Sequence, residues 1–306
     1  MILVTALACI EPNTAQPPQD GSSATPSDLP GEQNPDFWAT HGMFLGGIQL
    51  SFVPEGNWDM GLQPEDENYD SGHTPHHVTL AQDYWVSETE VTVEQWLLYM
   101  GYHPTEIWYG DMIAAEELDQ CLDCPVHSIS WDEMLAFSNA VSEYHGLEPC
   151  FTCMGEGTDV ICSIPQDPYT CEGYRPPTEA EWEWAAIGGE SYPFPGSDDI
   201  DAIGFWEQNS DMLPHPVCSK VRNGYDLCEM GGNIREFVLD WVSPYTAAAV
   251  TNPFTYPEDG LYAGERGGSW ACRRPELRVN RRNLVWGYTR DMHSGFRLAR
   301  TVHPFE

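Results

Sequence analysis

RGGSWACRRPELRVNRRNLVWGYTRDMHSGFRLAR, residues 266–300, holds nine of the chain's 13 Lys and Arg residues: Arg266, Arg273, Arg274, Arg278, Arg281, Arg282, Arg290, Arg297 and Arg300. No Lys or Arg precedes Arg175, so these guanidinium groups must fold among carboxylates supplied by the rest of the chain. Arginine makes two parallel bonds to a carboxylate and tolerates burial better than lysine. The stretch therefore reads as a segment threaded through the interior and pinned by ion pairs. Gly267-Gly268 allows a turn or a close approach that delivers Ser269, Trp270 and Cys272 to a defined place.

Outside this stretch the chain is acidic, with 48 Asp and Glu and a formal net charge of −35 over 306 residues. That charge excludes nucleic acid and anionic membrane as partners, since either requires a basic face. It suits solubility, cation binding or a salty environment without choosing among them. With 41% hydrophobic residues and 12 Trp, 14 Tyr and 11 Phe, the chain can bury a large core, in one domain or two. Its 27 Gly and 25 Pro predict many turns and short elements.

The ten cysteines are Cys9, Cys121, Cys124, Cys150, Cys153, Cys162, Cys171, Cys218, Cys228 and Cys272. Cys121-Leu-Asp-Cys124 and Cys150-Phe-Thr-Cys153 have zinc-knuckle spacing, but no partner set repeats it, and disulfides of an exported protein explain the pattern better. Residues 1–10, MILVTALACI, are too short to span a bilayer and lack a basic n-region. They read as the remnant of an export signal, either an ordinary cleaved one or a lipoprotein signal with Cys9 at its cleavage box. The expected location is secreted or cell-envelope, with membrane contact only through a lipid anchor. Losing or lipidating Cys9 leaves nine cysteines, so at least one thiol stays unpaired within the chain.

Residues 11–36 are rich in Pro, Ser, Gln and Asp, a composition that cannot build a core and predicts a disordered linker. The folded domain is expected over 37–302. Ile48–Val53 reads as a strand, 62–75 as an acidic loop, and His77–Leu80 with Tyr84–Ser87 as a strand pair. Three helix starts carry a Ser or Thr followed three residues later by Glu or Gln: Thr92 with Gln95, Ser130 with Glu133, and Thr178 with Glu181. The second helix should run from Trp131 to Tyr144, burying Trp131, Met134, Leu135, Ala140 and Val141. The third should bury Trp182, Ala185 and Ala186 and stop at Gly188-Gly189. Between them, 147–174 reads as a disulfide-held loop. Later strands are expected near Cys218, at Ile234–Leu239, at Arg266–Trp270 and at Gly295–Ala299.

No phosphate loop, dinucleotide fingerprint, nucleophile elbow or zinc-protease helix is present. His73, His76 and His77 read as a surface run at a strand entrance rather than a ligand cluster. Cys272, flanked by Arg273 and Arg274, is the thiol whose surroundings should favour the thiolate; a disulfided or buried cysteine is the competing reading.

Six blocks occur in one order: Glu90-Val-Thr92; Pro125-Val126 with Ser130-Trp131; Tyr174-Arg-Pro-Pro-Thr-Glu-Ala-Glu-Trp-Glu-Trp-Ala-Ala186; Met230-Gly-Gly-Asn-Ile-Arg-Glu236; Arg266-Gly-Gly-Ser-Trp270; and Gly295-Phe-Arg-Leu298. In that order they resemble the formylglycine-generating enzyme, or sulfatase-modifying factor, domain family over about residues 40–302. The resemblance implies a single α+β domain of the C-type-lectin-like sort, low in regular secondary structure and often calcium-bound. Family enzymes oxidise a sulfatase cysteine to formylglycine with oxygen and a copper(I) ion held by two cysteines.

By that resemblance Cys272 matches the first active-site cysteine and Ser269 a serine of the same site. The second copper-binding cysteine would stand where this chain has Leu277, and leucine offers no ligand to a soft monovalent ion. Arg235 replaces the tryptophan usual in the Gly-Asn block. For calcium, Glu229, the carbonyls of Gly232 and Ile234, and Glu236 match a family site of hard oxygen donors; the alternative is a plain tight turn with Glu236 paired to an arginine. Calcium is thus the expected cofactor and copper the doubtful one. Two functions remain open: a lectin-like binding module for a protein, peptide or glycan, and an oxidase, or related thiol and oxygen chemistry, acting at Cys272.

Overall fold

The computed structural model describes residues 43–45, 47–62, 75–104, 121–256 and 260–302. The expected signal remnant, linker and domain start near Phe37 lie outside the described residues, as do Cys9, His73 and most of the acidic 62–75 loop.

Helices begin where the capping signatures stand. They are α1 (Val93–Met100), α2 (Trp131–Tyr144), α3 (Glu179–Ile187) and the short α4 (Ile200–Ile203). Thr92, Ser130 and Thr178 each accept the amide three residues on, while that residue's side chain returns to the cap amide. Helices α1 and α3 end on glycines in the left-handed conformation, Gly101 (φ 74°) and Gly188 (φ 63°). The buried stripe of α2 includes Trp131, Met134, Leu135 and Val141 as expected, but Ala140 is only half-buried and Phe137 is fully buried. Phe137 is drawn in by Trp96 of α1, on which it stacks with centroids 5.4 Å apart, and Phe296 meets both rings edge-on.

The strands are β1 (Met43–Leu45), β2 (Ile48–Val53), β3 (Gly56–Met60), β4 (His76–Leu80), β5 (Tyr84–Ser87), β6 (Thr152–Met154) and β7 (Ile161–Ser163). They continue with β8 (Arg235–Trp241), β9 (Val250–Thr251), β10 (Tyr262–Arg266), β11 (Arg282–Trp286), β12 (Ser294–Phe296) and β13 (Ala299–Thr301). One sheet orders them β1-β2-β5-β13, a second β11-β10-β8-β12, and smaller sheets pair β3-β4-β9 and β6-β7. Only β12 with β8 and β4 with β9 run parallel among the described pairs. The result is a mixed α+β domain.

Three strand expectations are corrected. Around Cys218 there is a turn, closed by the Cys218–Cys228 bridge and by Glu229, whose carboxylate accepts the amides of Cys218, Ser219 and Lys220. At 266–270 the strand ends at Arg266, because Gly267 (φ 86°) and Gly268 (φ 69°) turn the chain; a Cβ on Gly268 would lie 2.9 Å from the Glu276 carbonyl oxygen. At 295–299 the chain leaves one sheet after Phe296 and enters the other at Ala299, so a single strand cannot cover it. That crossing places Arg297 between the two sheets.

Ion pairs hold the crossing. Arg297, fully buried, donates twice to Glu236 at 2.7 Å and also bonds the carbonyls of Ser87 and Cys228. Arg266 pairs with Glu183, Arg282 with Glu179, and Arg290 with Glu133. Earlier in the chain, Arg175 forms a two-point pair with Glu181 at 2.6 and 2.7 Å. Such pairs fix which elements meet more than they add net stability, since desolvation offsets much of the attraction. Arg273 and Arg274 depart from the threaded reading and are exposed.

Four disulfides join Cys121–Cys124, Cys150–Cys171, Cys153–Cys162 and Cys218–Cys228. Two of them close the 147–174 loop, as expected. His76 is not at the surface: it is buried against the Tyr245 ring, 4.7 Å away, while exposed His77 meets Asp59.

Candidate functional site

The Gly267-Gly268 turn sends Ser269, Trp270 and Cys272 inward. Ser269 is fully buried and Cys272 is 2% exposed. Trp270 is anchored by its amide on the Asn233 carbonyl and by its indole on the Met292 carbonyl, and it lies against the His293 ring. The Cys272 amide returns to the Ser269 carbonyl at 2.9 Å and its carbonyl accepts Glu207 N–H. The sulfur's position is therefore set by backbone on both sides.

Three side chains reach that sulfur: Arg235, Ser269 and Glu276, whose carboxylate accepts from the thiol and helps to raise its pKa. Arg235 Nη2 is 3.2 Å from Cys272 Sγ and Ser269 Oγ is 3.4 Å from it. Ser269 is thus brought to the thiol as the resemblance implied. The charge beside the thiol is Arg235, not the exposed Arg273 or Arg274, the latter lying over the Phe194 ring. The thiol is also not lowered in net terms: burial pushes its pKa up, and the Arg235 guanidinium only partly opposes this. Arg235 stands at the start of β8, where its amide bonds the His293 carbonyl, and it also faces the carboxylates of Glu265 and Asp291. Glu265 is held by Ser294 and Asn283, and burial raises its pKa.

Cys272 is the free cysteine among the described residues; the other eight described cysteines are bridged. Leu277 is completely buried in the same apolar cluster as Cys272, with Phe194, Ile200, Ile203 and Trp206. A single thiol, an apolar side chain at the second ligand position and a cation on the sulfur do not fit copper(I), which needs paired soft donors.

The calcium set presents a different picture. Glu229 is spent on three backbone amides, and Glu236 on Arg297 and the Trp182 indole. Beside them lies a carboxylate missed in the sequence. Glu90 is 0% exposed, and among the described residues no other residue hydrogen-bonds its oxygens. Burial raises its pKa, with Glu229 and Glu236 adding repulsion and Arg297 opposing it. Burial raises the pKa of Glu229 as well, Arg297 matches Glu236, and among the described residues the oxygens of these three carboxylates do not gather within reach of one ion; Glu229 and Glu236 with the Gly232 and Ile234 carbonyls remain oxygen donors of the kind a hard cation takes. The only sign of Glu90 in the sequence was its place in the Glu-Val-Thr block.

A model of the sulfatase-modifying factor enzyme 1-like domain matches residues 47–302. The chain belongs to this family. A chaperone protein LppX of Paenibacillus barcinonensis is 28% identical over 228 residues, covering 65% of this chain and 73% of that protein. The formylglycine-generating enzyme of Streptomyces coelicolor is 36% identical over 116 residues, which span 33% of this chain and only 37% of that enzyme. Among solved structures, Treponema denticola variable protein 1 superposes with a TM-score of 0.70 at 27% identity, covering 85% of this chain and 98% of that one. The fold is thus the C-type-lectin-like arrangement of the sulfatase-modifying factor domain. Within that family frame, Cys272 and Ser269 stand together, and Arg235 occupies the space beside the thiol.

Proposed function

We propose that this member of the sulfatase-modifying factor family acts as a binding module and does not make formylglycine. The observation that carries the reading is the 3.2 Å contact between Arg235 and the Cys272 sulfur. A fixed cation there opposes a copper ion electrostatically. Leu277 removes the second thiolate. The names of two similar proteins, a chaperone protein and a variable protein, are in keeping with a binding role.

The partner class we assign is a protein or peptide, with glycans second. The support is the outer strand β11 and its continuation, where Leu284 is 50%, Trp286 39% and Tyr288 73% exposed. Tyr262, Trp286 and Tyr288 form a run of ring contacts with centroids 4.5 and 5.8 Å apart. Exposed rigid aromatics of this kind serve as anchors in recognition surfaces. Four disulfides are compatible with an oxidising compartment. We further assign calcium to Glu229, the carbonyls of Gly232 and Ile234, and Glu236.

Incubation with a Cys-x-Pro-x-Arg peptide, copper(I) and oxygen, followed by mass spectrometry, tests the reading. Unchanged peptide is expected. Aldehyde product over many turnovers would instead establish the oxidase.

A further inference from the structure

We propose that the Cys121–Cys124 bridge is a thiol–disulfide exchange site that oxidises a dithiol in a peptide or protein. It does not depend on the binding role or on Cys272.

This bridge is the least structural of the four. It spans a sequence separation of 3, against 21, 9 and 10 for the others. A bridge stabilises a fold largely by closing a loop in the unfolded chain, so one this short contributes least and can open at the least cost to the fold. Its two sulfurs are unequal. Cys124 is 6% exposed with Sγ 4.0 Å from the Pro214 carbonyl oxygen, whereas Cys121 is half-buried. One reachable and one shielded sulfur is the asymmetry exchange chemistry uses, because the reachable sulfur takes the attack and the other leaves.

The surroundings suit both events. The Cys-Leu-Asp-Cys loop sits on the first turn of α1, where Val93 N–H donates to the Cys124 carbonyl and Glu94 N–H to the Leu122 carbonyl. The positive end of that helix favours negative charge on the departing sulfur. Asp123 Oδ1 is 3.3 Å from Cys121 Sγ, in reach of the proton of an incoming thiol. Leu122 is 46% exposed, and the adjoining loop that carries Pro214 exposes Met212 (55%) and Leu213 (62%), an apolar landing for a polypeptide.

In the first step the substrate thiol passes its proton to Asp123 and its sulfur bonds to Cys121 Sγ. The bond between Cys121 and Cys124 breaks with the electron pair leaving on Cys124, which takes up a proton. The substrate's second thiol then attacks its own mixed-disulfide sulfur and releases Cys121 as a thiol. Two electrons and two protons have moved from the substrate, now a disulfide, to Cys121 and Cys124.

The test uses the native full chain in reduced and oxidised glutathione mixtures, with differential alkylation read by mass spectrometry. Cys121–Cys124 is expected to open at a reduced-to-oxidised ratio at least about tenfold below that opening the other three bridges. One equivalent of protein should oxidise a dithiol peptide. Cys121→Ser and Cys124→Ser should each abolish the transfer, since either removes the oxidising disulfide, and a peptide with a single thiol, in excess, should accumulate on Cys121 of the native protein as a mixed disulfide. Unchanged thermal unfolding of both variants shows that the fold is intact. Opening of all four bridges together, peptide oxidation that survives Cys121→Ser, or a reduced pair that binds zinc and transfers nothing would each overturn the proposal.

Discussion

The guanidinium of Arg235 lies 3.2 Å from the sulfur of Cys272, a contact between the start of β8 and the turn after β10. The charge lowers a thiol pKa that burial has raised, so removing it should raise the pKa further. Arg235→Met keeps much of the volume and deletes the charge. The pH midpoint for alkylation of the native thiol is expected to move upward in this variant. An unchanged midpoint would show that the guanidinium does not act on the sulfur.

Leu277 and Arg235 give two separate reasons for poor copper binding, and they can be separated. Leu277→Cys alone restores the thiol count but leaves the cation in place, so copper(I) affinity measured by chelator competition should rise little. Leu277→Cys combined with Arg235→Trp should raise it well beyond the sum of the single changes. Because Leu277 is fully buried, the first change also costs stability, below the ~2–5 kcal/mol of a leucine-to-alanine truncation.

Much of the scaffold was legible in the sequence because its signals are local. The three capping boxes, the glycine stops and the strand Ile48–Val53 each depend on residues within a few positions of one another. The site was legible only in part. Ser269 and Cys272 are close in sequence, yet the cation on the sulfur comes from 37 residues earlier. Adjacency favoured Arg273 and Arg274, but Arg273 is exposed and Arg274 packs over the Phe194 ring instead of reaching the sulfur. Likewise the strand expected at 295–299 failed because Arg297 needs Glu236 on one sheet and the Ser87 carbonyl on the other. Pairing across sheets leaves no periodic trace. The burial of Glu90 beside Glu229 and Glu236 was invisible for the same reason.

The set of Glu229, Glu236 and the Gly232 and Ile234 carbonyls predicts a response to calcium. Wild-type protein stripped by chelator should melt at a lower temperature and recover on adding calcium, since a ligand bound only by the folded state stabilises it. Glu229→Gln should lose most of the recovery. A calcium response that is intact in Glu229→Gln removes that residue from the site.

Arg297→Met should be the most damaging of the ion-pair changes. It strips the one counter-charge from Glu236 and from the neighbouring Glu90 and Glu229. Breaking a buried pair on one side costs about 3–5 kcal/mol. Denaturant unfolding should show a loss of that order, smaller at acidic pH where the abandoned carboxylates take up protons. A loss under ~1 kcal/mol, typical of exposed pairs, would mean that the crossing between the sheets is held by packing alone.

Asp240 should make stability fall as pH rises. It is buried on β8, where its oxygens accept the amides of Glu179 and Thr255, and burial together with nearby Glu179 raises its pKa from 3.8 to about 7. Between those two values the folded protein keeps a proton that the unfolded chain has released. Stability from this group is therefore complete below about pH 4 and is lost progressively up to about pH 7. Asp240→Asn cannot titrate, and it loses one of the two amide contacts because its NH2 cannot accept. It should be less stable than wild type at acidic pH, with the gap narrowing toward pH 7. Unfolding free energies measured from pH 4 to 8 decide the matter: a gap that stays constant would place the Asp240 pKa in the ordinary carboxylate range.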